Sequence, residues 1–344
     1  MSEMREPIAA TAVIDLTSAP SSPPAEPTWS LSPSRALDFK NCALLYRFRV
    51  IDRLPEPPSL DAARGTVIHG VLERLFDRPA AERTSEAARS DVEPGWLAVL
   101  EEDPELAAMV ENEPGGLTEL IASTRTLLDS YFTLEDPRRI EPAEREVLVE
   151  MTTPTGVHLK GFIDRVDRSP AGDIRVVDYK SGKAPSEAFE GKALFQLRFY
   201  ALVLWRTTGV LPRLLRLYYL RDREILDYAP DAADLESLER QVEAIAAAIQ
   251  KARSTGDWRH KPSKLCSWCS FQSLCPEFGG TPPALPDLPT SSNSESTVSS
   301  VRLETSTLPG AGSIGTSHGT ATTLQPADSA EVTPLIASSS TTAS

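Results

Sequence analysis

GFIDRVDRSPAGDIRVVDYKSG, residues 161–182, is the stretch that decides the fold of this 344-residue chain. Two runs rich in β-branched residues flank SPAGD, whose composition is typical of a turn. A third such run, REVLVEM, comes before them and is followed by the turn TTPTG. The pattern predicts three successive antiparallel strands, with Asp164 closing one strand and Asp178 near the corresponding end of the next.

Three polar side chains of these strands are expected to converge. Asp178 and Lys180 are two residues apart and therefore face the same side of their strand, next to Asp164. Carboxylate oxygens are the ligands that Mg²⁺ or Mn²⁺ requires, and such a metal activates water and offsets charge on a phosphoryl oxygen. Lys180 can orient that water. The alternative is a solvated strand edge, which is the more common setting of Asp-x-Lys.

The helix that precedes these strands offers an imidazole. In RGTVIHGVLERLF, residues 64–76, Ile68, Leu72 and Leu75 form one apolar stripe, and His69 and Glu73 lie four residues apart beside it. A nitrogen ligand suits Mn²⁺ somewhat better than Mg²⁺. A lone helical histidine is more often structural, so the order of the pieces along the chain is what favours a metal site.

Helices are also predicted on either side of the strands. The first covers SPSRALDFKNCALLYRFRV, residues 32–50, with Ser32 as N-cap and Pro33 at the first helical position. Residues 79–139 are predicted to be helical, with breaks at Pro94, Pro104, Pro114 and Pro137. Residues 195–206 predict a helix, LLRLYYL and EILDYA a strand pair, and residues 234–253 a long amphipathic helix. A sheet flanked by helices indicates an α/β or α+β core.

Composition divides the chain into three parts. Residues 1–28 and 279–344 are rich in Ser, Thr, Pro and Ala, so we expect a disordered leader and tail around one domain at 29–278. The net charge of −14, from 35 Lys and Arg against 49 Asp and Glu, argues against a generic basic nucleic-acid binder. Without a run of about 20 apolar residues or a secretory leader pattern, a cytoplasmic protein with no membrane partner is expected.

The four cysteines form a group with an unusual spacing. Cys266, Cys269 and Cys275 are clustered, whereas Cys42 lies more than two hundred residues upstream. A Cys-x-x-Cys pair fits the bite of a metal, and four thiolates can hold either Zn²⁺ or a [4Fe–4S] cluster. The remote fourth cysteine weakens the zinc interpretation, because a zinc ribbon draws two pairs from nearby loops. Four unlinked buried thiols are the remaining alternative.

Together these segments resemble the PD-(D/E)XK nuclease superfamily, specifically its RecB-like exonucleases, which include the nuclease domain of AddB. The segments that carry the resemblance are Gly65-Thr66-x-x-His69 with Glu73, Gly161-x-x-Asp164-Arg165-x-Asp167, Asp178-Tyr179-Lys180-x-Gly182-Lys183 and Gln196-x-x-x-Tyr200-Ala201. They span most of residues 29–278. The resemblance implies a restriction-endonuclease-like core, in which a central mixed sheet is flanked by helices.

The resemblance also implies roles for individual residues. The metal ligands would be His69, Asp164, Asp178 and the backbone carbonyl of Tyr179, and Lys180 would be the catalytic lysine.

Supporting roles follow from the same resemblance. Gln196 and Tyr200 would support the active site and the DNA strand, although Tyr200 is also a candidate for the core. Arg165 and Lys183 are candidates for phosphate contacts, against the alternative of ordinary surface charges. Glu73 would either orient the His69 ring or be a charge on the helix surface.

For the cysteines, the resemblance implies the AddB type of iron–sulfur staple. One N-terminal cysteine, Cys42, and three C-terminal ones, Cys266, Cys269 and Cys275, would hold a [4Fe–4S] cluster that joins the two ends of the domain. Loss of such a cluster is expected to unfold the domain.

The expected function is that of a Mg²⁺- or Mn²⁺-dependent DNA exonuclease acting on single strands or DNA ends in repair or recombination. Basic residues would then line one DNA groove, among them Arg35, Arg47, Arg49, Lys180 and Lys183. The chain has no Gly-x4-Gly-Lys-Ser/Thr phosphate loop, so a helicase motor would have to come from a partner. The alternatives are a catalytically inactive DNA-binding or scaffolding subunit of a helicase–nuclease assembly, and a zinc-stapled protein with no nucleic-acid role.

Overall fold

A computed structural model describes residues 29–186 and 190–286. The predicted leader and most of the predicted tail lie outside these residues. No helix in the described ranges is both long and apolar enough to cross a membrane.

The helices of the described chain lie before, between and after the strands. Their bounds are Pro33–Asn41 (α1), Ala43–Tyr46 (α2), Leu60–Leu75 (α3), Ser85–Ser90 (α4), Val92–Glu102 (α5), Pro104–Asn112 (α6), Gly116–Leu134 (α7), Glu190–Thr208 (α8) and Ala232–Thr255 (α9). Short 3-10 turns cover Ala80–Glu82, Pro137–Arg139, Lys264–Trp268, Gln272–Leu274 and Pro276–Phe278.

The strands form one mixed sheet. They are Ser30–Leu31 (β1), Glu144–Thr152 (β2), His158–Arg168 (β3), Ile174–Lys180 (β4), Leu214–Tyr219 (β5) and Glu224–Tyr228 (β6). Strands β2, β3 and β4 are antiparallel neighbours, β5 is parallel to β4, and β6 closes the sheet antiparallel to β5. The short β1 runs parallel to the start of β3. The predicted meander and the predicted strand pair are both confirmed.

Two hydrophobic cores cover the two faces of the sheet. On one face, side chains such as Ile163, Val176 and Leu217 pack against α1, α2, α8 and α9. On the other, Tyr179 and Tyr218 pack against the helical region α3–α7. The central mixed sheet flanked by helices is therefore confirmed.

The predicted helix over residues 32–50 is wrong as a single element. Ser32 caps α1 as expected, accepting a hydrogen bond from the Arg35 backbone N–H. At Cys42, however, the backbone is extended, with φ −161° and ψ 116°, and α2 starts afresh before a π-helical turn at Arg47–Ile51. Because of this break, Cys42 lines a cavity together with the other three cysteines.

The predicted break at Pro94 is also wrong, for a local reason. Pro94 is the third residue of α5. A first-turn N–H has no partner within the helix, so a proline there removes no hydrogen bond.

Candidate active site

The site lies where strands β3 and β4 separate. Their antiparallel ladder pairs Arg165 with Val177 and goes no further. At the next position along the ladder Asp164 and Asp178 face each other, and the Asp164 Oδ2 accepts a hydrogen bond of 2.8 Å from the backbone N–H of Tyr179. A carboxylate thus replaces the strand-to-strand hydrogen bond, which opens a fork between the two strands.

The alternation of side chains between the two faces of the sheet is interrupted in strand β3 at Asp164. Ile163 packs in the core under α8, whereas Arg165, two residues further, contacts Tyr179 on the α3–α7 side. The neighbouring strand has a matching distortion, because Glu146, which lies opposite Asp164 in the β2–β3 register, has a positive φ of 42°. The expectation that Asp164 closes a strand is therefore wrong: β3 continues to Arg168 through a local distortion that alternation could not reveal.

His69 reaches the fork from α3. Its Nε2 lies 2.8 Å from the Tyr179 carbonyl oxygen, which can only accept, so Nε2 carries the proton. The Nδ1 atom then offers its lone pair 3.4 Å from Asp164 Oδ2 and 3.9 Å from Glu146 Oε1. Burial lowers the pKa of His69, which favours the neutral ring that a metal ligand requires.

The carboxylates around this nitrogen carry uncompensated charge. Ligand atoms of His69, Glu146 and Asp164 all lie within 4.8 Å of one another. Burial, and then the charge of Asp178, raises the pKa of Asp164 well above its ordinary value. Burial likewise raises the pKa of Glu146. Acceptor atoms thus face one another in a buried setting. This arrangement fits a binding site for a cation that prefers oxygen ligands.

Glu146 was not identified from the sequence. Within REVLVEM it is one of three acidic residues, and nothing in that pattern distinguishes it from Glu144 or Glu150. Its position opposite Asp164 depends on the register of two strands, which only the folded chain reveals.

Lys180 is held on the other side of the fork. Its ammonium lies 2.7 Å from Asp178 Oδ2 and donates to Gln196 Oε1 at 3.0 Å. Gln196 in turn donates from Nε2 to the Tyr200 hydroxyl oxygen at 2.9 Å. Asp178 is 1% exposed, and its Oδ1 has no hydrogen-bond partner among the residues that the structure describes. The predicted set of Asp178, Lys180, Gln196 and Tyr200 is thus one connected chain of contacts.

A glycine fixes the end of this chain of contacts. A Cβ atom at Gly161 would lie 2.5 Å from Cε1 of Tyr200 and 3.5 Å from Cδ of Pro33. Tyr200 is 4% exposed, so its ring belongs both to the core and to the site. We call the group of His69, Glu146, Asp164, Asp178 and Lys180 the fork cluster.

Arg165 does not lie at the surface, so the expected phosphate contact is wrong. It is 1% exposed and forms two hydrogen bonds of 2.8 Å to the Glu135 carboxylate, one to each oxygen. It also donates to the Tyr179 hydroxyl at 2.6 Å and to Asp167 Oδ2 at 3.2 Å. Arg175 reaches the same Asp167 oxygen at 2.8 Å. We call Arg165, Arg175, Glu135 and Asp167 the arginine cluster.

Other predicted residues lie apart from the fork cluster. Lys183 is exposed beyond the end of β4. Glu73 lines the cavity beside His69, but it is the Glu73 backbone carbonyl that accepts a hydrogen bond, from Arg145.

Arg47 pairs with Asp52 at 2.9 Å, and Arg49 pairs with Asp38 and Glu56 at 2.7 Å each. Arg47 is 6% exposed, so the expected shared groove of basic residues is wrong at that position.

The four cysteines meet away from the fork cluster. Cys42, Cys266, Cys269 and Cys275 line one cavity of about 240 Å³. Burial and then the neighbouring sulfur atoms of the other three raise the pKa of Cys275. Among the described residues, no three of these sulfur atoms lie within 4.8 Å of one another.

Comparison with known proteins agrees with this geometry. The family model of the PD-(D/E)XK nuclease superfamily matches residues 30–276, and the chain belongs to this superfamily. One subunit of the ATP-dependent helicase/deoxyribonuclease of Streptococcus agalactiae is 29% identical over 168 residues, which are 46% of this chain and 14% of that protein. The Streptococcus mutans protein of the same name is 30% identical over 168 residues, 46% of this chain and 15% of its own length.

The chain therefore matches only about one seventh of the length of these relatives. Among solved structures, a candidate exonuclease from Eubacterium rectale aligns with a TM-score of 0.46 at 13% identity, covering 70% of this chain and 86% of that one. The superfamily relationship establishes a nuclease-related protein, and the predicted fold class agrees with it.

Proposed function

We propose that the chain is a Mg²⁺- or Mn²⁺-dependent deoxyribonuclease that hydrolyses phosphodiester bonds as an exonuclease on single strands or DNA ends. The observation that carries this proposal is the fork cluster, in which two buried carboxylates, a neutral imidazole and a lysine converge. A helicase partner is supported by the names of the streptococcal relatives, which pair a helicase with a deoxyribonuclease, and a role in repair or recombination is part of the same proposal.

The donor set fits a divalent cation. When all three are ionised, as metal ligands are, Asp164, Asp178 and Glu146 carry three negative charges against the single positive charge of Lys180, since His69 is neutral. The excess of two matches one Mg²⁺ or Mn²⁺. We assign as ligands the Nδ1 of His69 and the carboxylates of Asp164 and Asp178, and we add Glu146 to them. The Tyr179 carbonyl oxygen accepts the hydrogen bond of His69 Nε2–H, on the opposite side of the ring from Nδ1, so we assign it the role of orienting the imidazole towards the metal.

When bound, the metal would lower the pKa of a coordinated water and offset charge on a phosphoryl oxygen. The chain itself supplies the orientation. Asp178 and Gln196 contact the Lys180 ammonium from two sides and thereby restrict it to one position. In that place it would orient the attacking water and balance charge that develops on the phosphate.

The cysteines are proposed to hold a [4Fe–4S] cluster. A zinc ion with four thiolates requires neighbouring sulfur atoms about 3.8 Å apart, since each Zn–S bond is about 2.3 Å. In the described chain no three of these sulfur atoms lie within 4.8 Å of one another, and Cys42 is remote in sequence from the other three, which supports the larger cluster. Iron and acid-labile sulfide, measured on anaerobically purified protein, are expected together; zinc without sulfide would exclude the cluster.

The nuclease is tested with end-labelled single- and double-stranded DNA, in Mg²⁺, Mn²⁺ or EDTA. We expect metal-dependent cleavage, lost in Asp178→Ala and reduced roughly 100-fold or more in Lys180→Ala. Asp227→Ala and Lys251→Ala, which change exposed residues on β6 and α9, are the matched controls and should cleave normally. DNA binding without cleavage in any metal, by protein with its cluster intact, would instead support the scaffolding subunit.

A further inference from the structure

An aromatic ring stands open beside the fork cluster. Phe162 lies on β3 between two buried residues, Gly161 and Ile163, and is itself 53% exposed. Alternation along the strand directs it away from the α8 core and towards α3. Single exposed apolar side chains are common on protein surfaces, so exposure alone assigns Phe162 no role.

The location of the ring is what distinguishes it. Phe162 lines a cavity of about 570 Å³ together with His69 and Glu146, two members of the fork cluster. The opposite wall is the face of α3 that carries Gly65, Thr66 and Gly70. Because the two glycines have no side chain and that of Thr66 is small, this wall leaves the ring uncovered. A cavity of this size is typical of a site for a small organic group.

The chemistry of the cavity favours an uncharged, flat occupant beside the metal ligands. Glu73 lines the cavity and disfavours a phosphate there, whereas the fork cluster, two of whose members line the same cavity, has the donors for a metal that binds phosphate. In a nucleic acid, the flat uncharged group attached next to each phosphate is the base. Bases stack on aromatic side chains regardless of sequence, because every base has a π face.

We infer that Phe162 is a stacking platform for the unpaired base next to the scissile phosphate, and that it makes the site selective for single-stranded DNA. A base inside a duplex has both faces covered by its neighbours and is not available to the ring. The role of Phe162 rests on the proposed nuclease function, since it places the base relative to a phosphate held at the fork cluster.

The test compares KM and kcat on single-stranded and blunt double-stranded DNA for four variants. Phe162→Ala should raise KM for the single strand roughly tenfold and leave KM for the duplex unchanged. Phe162→Trp, which keeps a π face, should retain the wild-type preference. Phe162→Leu, which keeps an apolar side chain without a π face, should resemble Phe162→Ala.

Leu148→Ala is the matched control. Leu148 pairs directly with Phe162 across β2 and β3 and is 40% exposed, but it does not line the cavity. Its removal should change neither constant, and thermal unfolding should confirm that all four variants fold.

The outcomes separate this role from the nuclease function. Cleavage with an unchanged strand preference in Phe162→Ala would overturn the stacking role and leave the nuclease intact. In a second outcome, the wild-type protein cleaves no DNA while Phe162→Ala binds labelled oligothymidylate tenfold more weakly than the wild type does. That result would support the stacking role and overturn the nuclease function. Wild-type protein that neither binds nor cleaves would overturn both.

Discussion

Two groups of buried charges lie next to each other on strands β3 and β4, and they differ in balance. In the arginine cluster, two arginines face two carboxylates, and Arg165 meets Glu135 through two hydrogen bonds of 2.8 Å. In the fork cluster, three carboxylates face one lysine, and Asp178 Oδ1 has no hydrogen-bond partner within the described part of the chain. Asp164 and Arg165 are adjacent in sequence, yet Asp164 belongs to the cluster with excess carboxylates and Arg165 to the balanced cluster.

The difference separates stability from function. A buried charge with matched partners is neutralised within the fold and needs nothing from outside. A buried group of like charges is relieved by protonation or by a ligand of opposite charge, and the second is the usual condition of a metal site. The motif Asp-Arg at 164–165 therefore contributes one residue to the proposed active site and one to the fold.

Breaking the arginine cluster should have the largest effect on stability. Arg165→Met removes both charge-assisted hydrogen bonds to the buried Glu135 carboxylate and should lower the free energy of unfolding by about 3–5 kcal/mol. Urea denaturation measures this. Arg213→Met removes an arginine that is paired with Asp173 at the surface, and its cost should stay below about 1 kcal/mol. Equal losses in the two variants would refute the distinction.

Removing a charge from the fork cluster should have a different signature. Asp178→Asn should change the stability in EDTA by only about 1 kcal/mol, because it relieves repulsion with Asp164 while it weakens the contact with Lys180. The wild-type protein should gain about 2.7 kcal/mol when Mn²⁺ is present at 100 times its Kd, and the variant much less. Thermal unfolding with and without Mn²⁺ checks this, and an equal metal-dependent gain in the variant would contradict it.

Filling the space at Gly161 should affect both stability and cleavage. Gly161→Ala forces a methyl group against the Tyr200 ring and should lower the unfolding free energy by about 1–3 kcal/mol. The displaced Tyr200 then loosens Gln196 and Lys180, so kcat should fall while KM changes little. Gly191→Ala, where no atom of the described residues lies within 4 Å of the added carbon, should affect neither quantity adversely.

The smallest expected effect is the pH dependence that Glu135 adds to stability. Burial raises its pKa, but the hydrogen bonds and charge of Arg165 outweigh burial, so the pKa of Glu135 is lowered. Its contribution is therefore fully present above the ordinary glutamate pKa and is lost as the pH falls through the lowered value. Denaturation series between neutral and acidic pH should show this decline, and Glu135→Gln should reduce its slope. An unchanged slope in that variant would assign the acid sensitivity to other groups.

Much of the fold could be predicted from the sequence. The periodicity of two in β2–β4 and of about 3.6 in α3, α8 and α9 is local, and each element forms where its pattern occurs. The proximity of Asp178 and Lys180 follows from that alternation alone. The break at Cys42 could not be foreseen, because the residues around it have an uninterrupted helical pattern.

The sequence by itself determined the elements of this protein, the order of its polar motifs and the residues that could bind a metal. Only the tertiary structure decided which of two adjacent charged residues, Asp164 or Arg165, faces the fork. It also brought Glu146 to His69 and placed Phe162 in the same cavity as these two residues. The physical reason is that a distortion in one strand and the register of the next are set by packing across the sheet, and no local period encodes them.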